Sequence, residues 1–176
     1  RYQWIYAPLG LGLYAYEILV TESIECIRRA YMWDLFTKAA FVYIHVVRPM
    51  NEDASMWRFA QTQVPLMLTG GYLAFFFLLS HNFVSVGPLG PAPTFMKKQI
   101  EETSNVAGAT LAFINGGLNY QIEHHLFPRY HHSRFRELAP WVRRASRSNG
   151  YRYVHFKRVW DNVRSTLWYM FTLGFN

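Results

Sequence analysis

The sequence predicts an all-α, integral membrane helical fold with a cytosolic helical cap. Three observations carry that expectation. The stretch Val64 to Leu79 is almost wholly apolar and, with its flanks from Phe59 to Val86, is long enough to cross a bilayer. Positive charge is concentrated after that stretch. A glutamine and two histidines follow at helical spacing near residue 121. Backbone groups inside lipid must be satisfied within their own segment, which selects helices over isolated strands.

Taken in chain order, the first apolar segment runs from Trp4 to Val20 and contains Glu17, with Pro8, Gly10 and Gly12 interrupting it. It reads as an interfacial helix or half of a hairpin. The second, Leu35 to Val47, is short and holds Lys38 and His45. As a span it would have to snorkel Lys38 to the interface. The third, Val64 to Leu79, qualifies most easily, because a spanning helix needs about 20 residues. Gly87-Pro88-Leu89-Gly90-Pro91-Ala92-Pro93 then forms a stiff loop leaving the membrane. Phe95 to Phe113 reads as one helix with Glu101 and Glu102 inside it. Asn115-Gly116-Gly117 breaks or bends the chain, and Pro128 ends the next helix or begins a new element. Ser133 is placed to cap a helix through Arg147, with Gly150 at its C-terminal stop. Tyr151 to Phe156 alternates and reads as extended. A last helix is expected from Lys157 to Phe171.

Composition bounds the class. Apolar residues make up 51% and aromatics 18% of the 176 residues, yet mean hydropathy is close to zero. One span joined to a basic soluble part averages out that way. The single Cys26 excludes an internal disulfide and fits a reducing compartment. Residues 1–96 hold six Lys/Arg and six Asp/Glu, and residues 97–176 hold twelve and five, so the net charge of +7 lies entirely in the second part. The positive-inside rule then places that part in the cytosol. With the last two apolar segments spanning, Asn51-Glu52-Asp53 forms a lumenal turn and Arg28-Arg29 is cytosolic. The basic residues are interleaved with Trp141, Trp160 and Trp168 but lack any nucleic-acid motif. Anionic headgroups or an acidic electron-transfer partner suit them better, and no nucleic acid is expected.

The chemistry concentrates in Gln121-Ile122-Glu123-His124-His125. Positions i, i+3 and i+4 share a helix face, so an amide and two imidazoles point at one spot. Imidazole suits iron, zinc, copper and nickel. The wider run Gly117-Leu118-Asn119-Tyr120-Gln121-Ile122-Glu123-His124-His125-Leu126-Phe127-Pro128 resembles the third histidine box, Q-x-x-H-H, of the membrane fatty acid desaturases of the front-end type. Asn115-Gly116-Gly117, Arg129-Tyr130-His131-His132-Ser133, Ala139-Pro140 and Asn149-Gly150-Tyr151-Arg152-Tyr153 are similar to that family's C-terminal region. Arg1-Tyr2-Gln3-Trp4-Ile5-Tyr6-Ala7-Pro8 resembles its segment after the second box.

The resemblance implies a desaturase-like fold spanning 1–176. About 1–86 would be membrane or interfacial helices, and 87–176 a cytosolic part with the third box. It implies a diiron site with His124 and His125 as ligands. The family also has a histidine at the cytosolic end of this last span, which His81 matches. Gln121 would be a ligand or a group orienting one, with Asn119 and Glu123 as further second-sphere candidates. Among the remaining histidines, His45, His131, His132 and His155 are weaker candidates. The family's other boxes, H-x-x-x-H and H-x-x-H-H, cannot be assembled from the seven histidines. The chain therefore reads as the C-terminal half of a desaturase, inactive by itself. The implied reaction inserts a double bond, of Δ5/Δ6-like placement, into an acyl-lipid or acyl-CoA, using O2 and electrons from cytochrome b5, fused or separate. A multi-pass protein of the endoplasmic reticulum membrane is implied with it. Alternatives are a sphingolipid long-chain-base desaturase, a hydroxylase on the same scaffold, or a non-catalytic membrane protein keeping one box for zinc or for packing.

Overall fold

A computed structural model describes residues 2, 5–6, 10–84 and 94–173. The Gly87 to Pro93 loop, and Trp4 and Pro8 of the first segment, lie outside the described residues. The chain divides into two compact units, Ala7–Phe75 and Phe76–Asn176, the latter joined by Arg1–Tyr6.

The described residues of the first unit form helices joined by short turns. A 3-10 turn, Leu11–Leu13, leads into α1, Tyr14–Arg28. This helix ends by a left-handed residue: Ala30 has φ +56°, its N–H donates to Ile27 O, and Tyr31 N–H donates to Cys26 O at 2.9 Å. That pattern closes the terminal carbonyls without a glycine. The second apolar segment is longer than expected. Helix α2, Met32–Val42, passes through a π turn at Tyr43–Val47 into α3, Arg48–Glu52. Pro49 explains the π turn, since it lacks an N–H and its ring crowds the carbonyl four residues back.

The third segment forms α4, Met56–His81, 26 residues, of which the residues from Phe76 belong to the second unit. Ser55 Oγ caps its start by accepting from Arg58 N–H at 3.1 Å. At ~1.5 Å per residue it reaches about 39 Å, beyond the ~30 Å hydrocarbon thickness. It is the one helix among the described residues long and apolar enough to cross a membrane. Val64, Met67 and Leu68 point outward, Leu68 being 69% exposed, as a lipid-facing surface requires, while Ala74, Phe76 and Leu79 are buried. Gly70 lets α1 approach closely: a Cβ there would lie 2.5 Å from Ala15 N and 2.7 Å from Ala15 Cβ. Tyr16 OH donates to Gln63 Oε1 at 2.7 Å across the same pair of helices.

The second unit departs from expectation in the stretch 95–113. Instead of one helix it forms α5, Phe95–Glu101, then β1, Ser104–Val106, then α6, Ala109–Asn115. The run Thr103-Ser104-Asn105-Val106 is poor in helix formers. Glu101 turns its carboxylate to Arg152 N–H at 3.1 Å, and β1 pairs in parallel with β2, Val154–Phe156, in the register Asn105↔His155. Tertiary pairing thus overrides the helical reading, and of the extended stretch expected at 151–156 the residues Val154–Phe156 become strand. The fold remains all-α, carrying this single two-stranded ribbon among the described residues.

Gly116 at φ +64° and Gly117 at φ +85° turn the chain after α6. A Cβ on Gly117 would come within 3.0 Å of His132 Cβ. Helix α7, Gln121–Leu126, stops before Pro128, with Phe127 out of the helical region at φ −131° and ψ 59°. Ser133 is not a cap. It sits in a 3-10 turn, His132–Arg134, and donates its N–H to His131 Nδ1; α8 begins afterwards, at Phe135, and runs to Ser148. Gly150, φ +69°, does supply the stop: Gly150 N–H donates to Arg147 O, and Tyr151 N–H to Ser146 O at 2.8 Å. The last helix, α9, is Val159–Leu173. Two buried clusters hold α7 and α8 together. One joins Ile100, Ile122 and Val142; the other joins Tyr120, Phe135 and Ala139.

Candidate metal centre

Helix α7 presents two faces, and they do different things. Toward one side lie Gln121, His124 and His125, as the spacing demands. Toward the other lie Ile122 and Glu123, both fully buried.

On the first face the His125 ring meets His81, at the end of α4, with ring centroids 5.2 Å apart and planes nearly perpendicular. The His124 and His125 rings are 5.7 Å apart. Three of the histidines singled out in the sequence are therefore neighbours, although 43 positions separate His81 from His124. His125 is fixed from behind. Its Nδ1 lies 2.8 Å from Gln99 Oε1. A carbonyl oxygen can only accept, so Nδ1 carries the hydrogen and Nε2 keeps its lone pair. Gln121 Nε2 sits 3.1 Å from that Nε2 and donates to it. Burial, followed by His81 and His124, lowers the His125 pKa to about 4, so the ring is neutral near pH 7. A neutral imidazole with Nδ1–H tied to an acceptor and its lone pair on Nε2, here held by the Gln121 amide, is in the tautomer that can ligate a metal.

The donor set fits a metal in part. Among the described residues no group of three His, Cys, Asp or Glu side chains is arranged to enclose an ion. The His125 ring lies 5.2 Å from the His81 ring and 5.7 Å from the His124 ring, and a metal held by these imidazoles would need further ligands.

The second face anchors the helix. Glu123 Oε2 accepts from Asn105 Nδ2 at 2.6 Å, and Oε1 accepts from Tyr153 OH at 2.8 Å. Asn105 Oδ1 accepts the Ile122 N–H at 3.0 Å, which caps an N-terminus where Tyr120 offers no side-chain acceptor. The β1–β2 ribbon brings Asn105 and Tyr153 to this spot. Burial above all, opposed by these hydrogen bonds and by Arg143, raises the Glu123 pKa. Burial and the Glu123 carboxylate raise that of Tyr153. Glu123 thus faces away from the histidines. Asn119, also fully buried, donates to Val106 O at 2.9 Å and Gly108 O at 3.2 Å and holds the loop before α7.

The His131 and His132 rings lie 4.1 Å apart, tilted by 33°, and line, with Gln121 and His124, a cavity of about 360 Å³. His131 Nδ1 is engaged by Ser133 Oγ at 2.9 Å. His45 lies in the other unit, against Phe41, and His155 is bonded to Arg143 and Ala107 O. Gln99, Asn105 and Tyr153 were not singled out as site residues. They lie 16 to 32 positions from the box, and only the packing of α5 and the ribbon brings them to it.

The fatty acid desaturase family model matches residues 2–157. The chain is 36% identical to the acyl-lipid (7-3)-desaturase of Rebecca salina and 37% identical to that of Diacronema lutheri, over 98% of this chain and 43% of each relative. It is 35% identical to the Delta 8-(E)-sphingolipid desaturase of Komagataella phaffii over 43% of this chain and 14% of that protein. It spans under half the length of the two acyl-lipid relatives. No solved structure matches.

Proposed function

The chain belongs to the fatty acid desaturase family, and from that premise we propose that it forms the C-terminal part of a membrane diiron desaturase of the front-end, Δ5/Δ6-like kind. The observation that carries the reading is the meeting of His81 with His125 and His124, one from the end of the apolar helix and two from the Q-x-x-H-H helix. An oxidising metal site at the end of a membrane-crossing helix is within reach of an acyl chain entering from the bilayer. Iron is the expected metal, held by these three nitrogens and by ligands from the rest of the protein. Bound iron with O2 would supply the power to break unactivated C–H bonds, which no side chain has. Per double bond, two hydrogens leave the acyl chain; with two further electrons and two protons, O2 becomes two waters.

The residues of this chain have distinct tasks in that scheme. His124 and His125 ligate. His81 brings a nitrogen from α4. Gln121 either ligates through its carbonyl oxygen or holds the His125 ring, which it already contacts. Gln99 fixes the His125 tautomer. Asn105 and Tyr153 hold α7 from behind through Glu123. Asn119 acts one step further away, by fixing the loop ahead of the box.

The substrate is an acyl-lipid or acyl-CoA, and the similarity to two acyl-lipid (7-3)-desaturases favours the lipid. Electrons would come from cytochrome b5, fused or separate. We further propose a multi-pass placement in the endoplasmic reticulum membrane with 87–176 in the cytosol; the apolar helix supports the membrane and the basic charge beyond it supports the cytosolic side. A long-chain-base substrate is the second reading, favoured by the sphingolipid desaturase match over 43% of the chain.

The test is expression of the full-length protein in yeast fed polyunsaturated acids, with lipids profiled by gas chromatography–mass spectrometry. A new double bond that disappears in His124→Ala/His125→Ala and in His81→Ala is expected. A new double bond in sphingoid bases alone selects the second reading. Unchanged lipids from a well-expressed protein with cytochrome b5 present refute both.

A further inference from the structure

We infer that the arginine-lined concavity on α8 is a binding site for the phosphate of an anionic lipid headgroup. This goes beyond the desaturase reading and rests only on its membrane placement.

Arg136, Arg143, Arg144 and Arg147 lie along one side of α8 and, with Tyr120 and His155, line a cavity of about 400 Å³. No carboxylate lines it. The ion pairs among the described residues are Arg29–Glu25, Arg48–Glu52 and Arg134–Glu137, and none involves these four arginines. The two nearby acids are already committed: Glu137 pairs with Arg134, and both Glu123 oxygens are taken by Asn105 and Tyr153.

Arg143 shows that the charge is built in. It is half-buried, its guanidinium lies 5.2 Å from the centre of the Tyr153 ring, and its Nη2 donates to His155 Nδ1 at 2.7 Å. His155 Nε2 lies 2.6 Å from Ala107 O, an acceptor, so that nitrogen holds the hydrogen and Nδ1 carries the lone pair. A guanidinium is therefore positioned by a neutral imidazole where a carboxylate would ordinarily stand. It acts on the Glu123 carboxylate through space but forms no ion pair among the described residues. Like charges one turn apart on a helix repel, so this spacing costs stability unless an anion is bound.

The guanidinium fork matches the oxygens of phosphate. The headgroup source is favoured by the flank of the cavity. The Arg144 guanidinium sits 5.2 Å from the centre of the Trp141 ring, and Trp141 is 66% exposed. An exposed tryptophan beside arginine is the pairing found at the level of lipid headgroups.

The experiment uses the full-length protein purified in a nonionic detergent, titrated with dihexanoyl phosphatidic acid, dihexanoyl phosphatidylcholine, inorganic phosphate and an acidic poly-glutamate peptide. Phosphatidic acid should bind about tenfold tighter than phosphatidylcholine, and Arg143→Gln/Arg147→Gln should abolish that difference. Arg147→Gln alone, on an exposed side chain, and Arg143→Lys keep the test meaningful if the double variant misfolds; each should weaken binding several-fold. Equal affinity for the two lipids, or binding indifferent to the variants, overturns the proposal. Inorganic phosphate binding as tightly as the lipid overturns the headgroup source. A peptide that binds at these arginines where the lipid does not makes the cavity a protein-docking surface, which also overturns it. Iron content and desaturation are read separately, so failure here is distinguishable from failure of the enzyme assignment.

Discussion

Replacing Asn105 by alanine tests whether the back of the box helix governs its front. Asn105 is fully buried and makes three contacts: Nδ2 to Glu123 Oε2 at 2.6 Å, Nδ2 to Tyr153 OH at 2.8 Å, and Oδ1 from Ile122 N–H at 3.0 Å. Alanine leaves one carboxyl oxygen and one backbone N–H unsatisfied in the interior. Each such group costs ~1–3 kcal/mol. The two together should cost about 2–6 kcal/mol, a large share of a typical ~5–15 kcal/mol stability. Helix α7 has only six residues and no other cap at its start, so it cannot absorb that loss by propensity. The histidines should lose their alignment, and iron affinity should fall ~10–100-fold. The assay is iron content by mass spectrometry, product formation, and thermal unfolding of Asn105→Ala in detergent beside the parent protein. Full iron occupancy with an unchanged melting temperature would refute the reasoning, because it would mean that α7 is held by its apolar contacts alone.

Three further outcomes follow from other contacts. Gln99→Leu removes the acceptor that fixes the His125 tautomer at 2.8 Å, and should lower iron affinity ~10–100-fold with little change in melting temperature; equal iron binding by the variant argues against a ligand role for Nε2. Gly70→Ala forces a Cβ to within 2.7 Å of Ala15 Cβ, and should destabilise the first unit by ~1–3 kcal/mol, read as earlier thermal aggregation; an unaffected variant would show that α1 and α4 separate at no cost. The His155 pKa is depressed below 6.5 by burial foremost and then by Arg143, with the Ala107 carbonyl opposing. Its contribution to stability is therefore complete above pH 6.5 and is lost as pH falls from there toward the lowered folded value. His125 acts in the same direction. The fall in melting temperature from pH 7.5 to 5.5 should be shallower in His155→Gln than in the parent protein, and an identical slope would exclude a titrating His155.

The helical character of α4, its reach, and the shared face of Gln121, His124 and His125 are properties of residue order. Apolar runs and a 3.6-residue period are local, and local patterns can be read along a chain. The stop at Gly150 is local in the same way, since a left-handed residue is needed there and glycine supplies it. The run 95–113 failed as a single helix because its fate depends on a partner. Ser104 to Val106 is strand only because Val154 to Phe156, some fifty residues later, pairs with it. Pro49 was visible, but the π turn ahead of it required the helix to continue on both sides.

The site divides along the same line. Sequence alone determined that two imidazoles and an amide converge from one helix, and that charge accumulates beyond the apolar segment. Only the tertiary structure decided that His81 meets His125, that Gln99 sets its tautomer, and that Glu123 turns inward to Asn105 and Tyr153. It also decided that four arginines share one concavity without an acid. Spacing along one helix fixes directions within a turn, whereas contacts between elements depend on which buried polar groups find partners, and those partners come from distant parts of the chain.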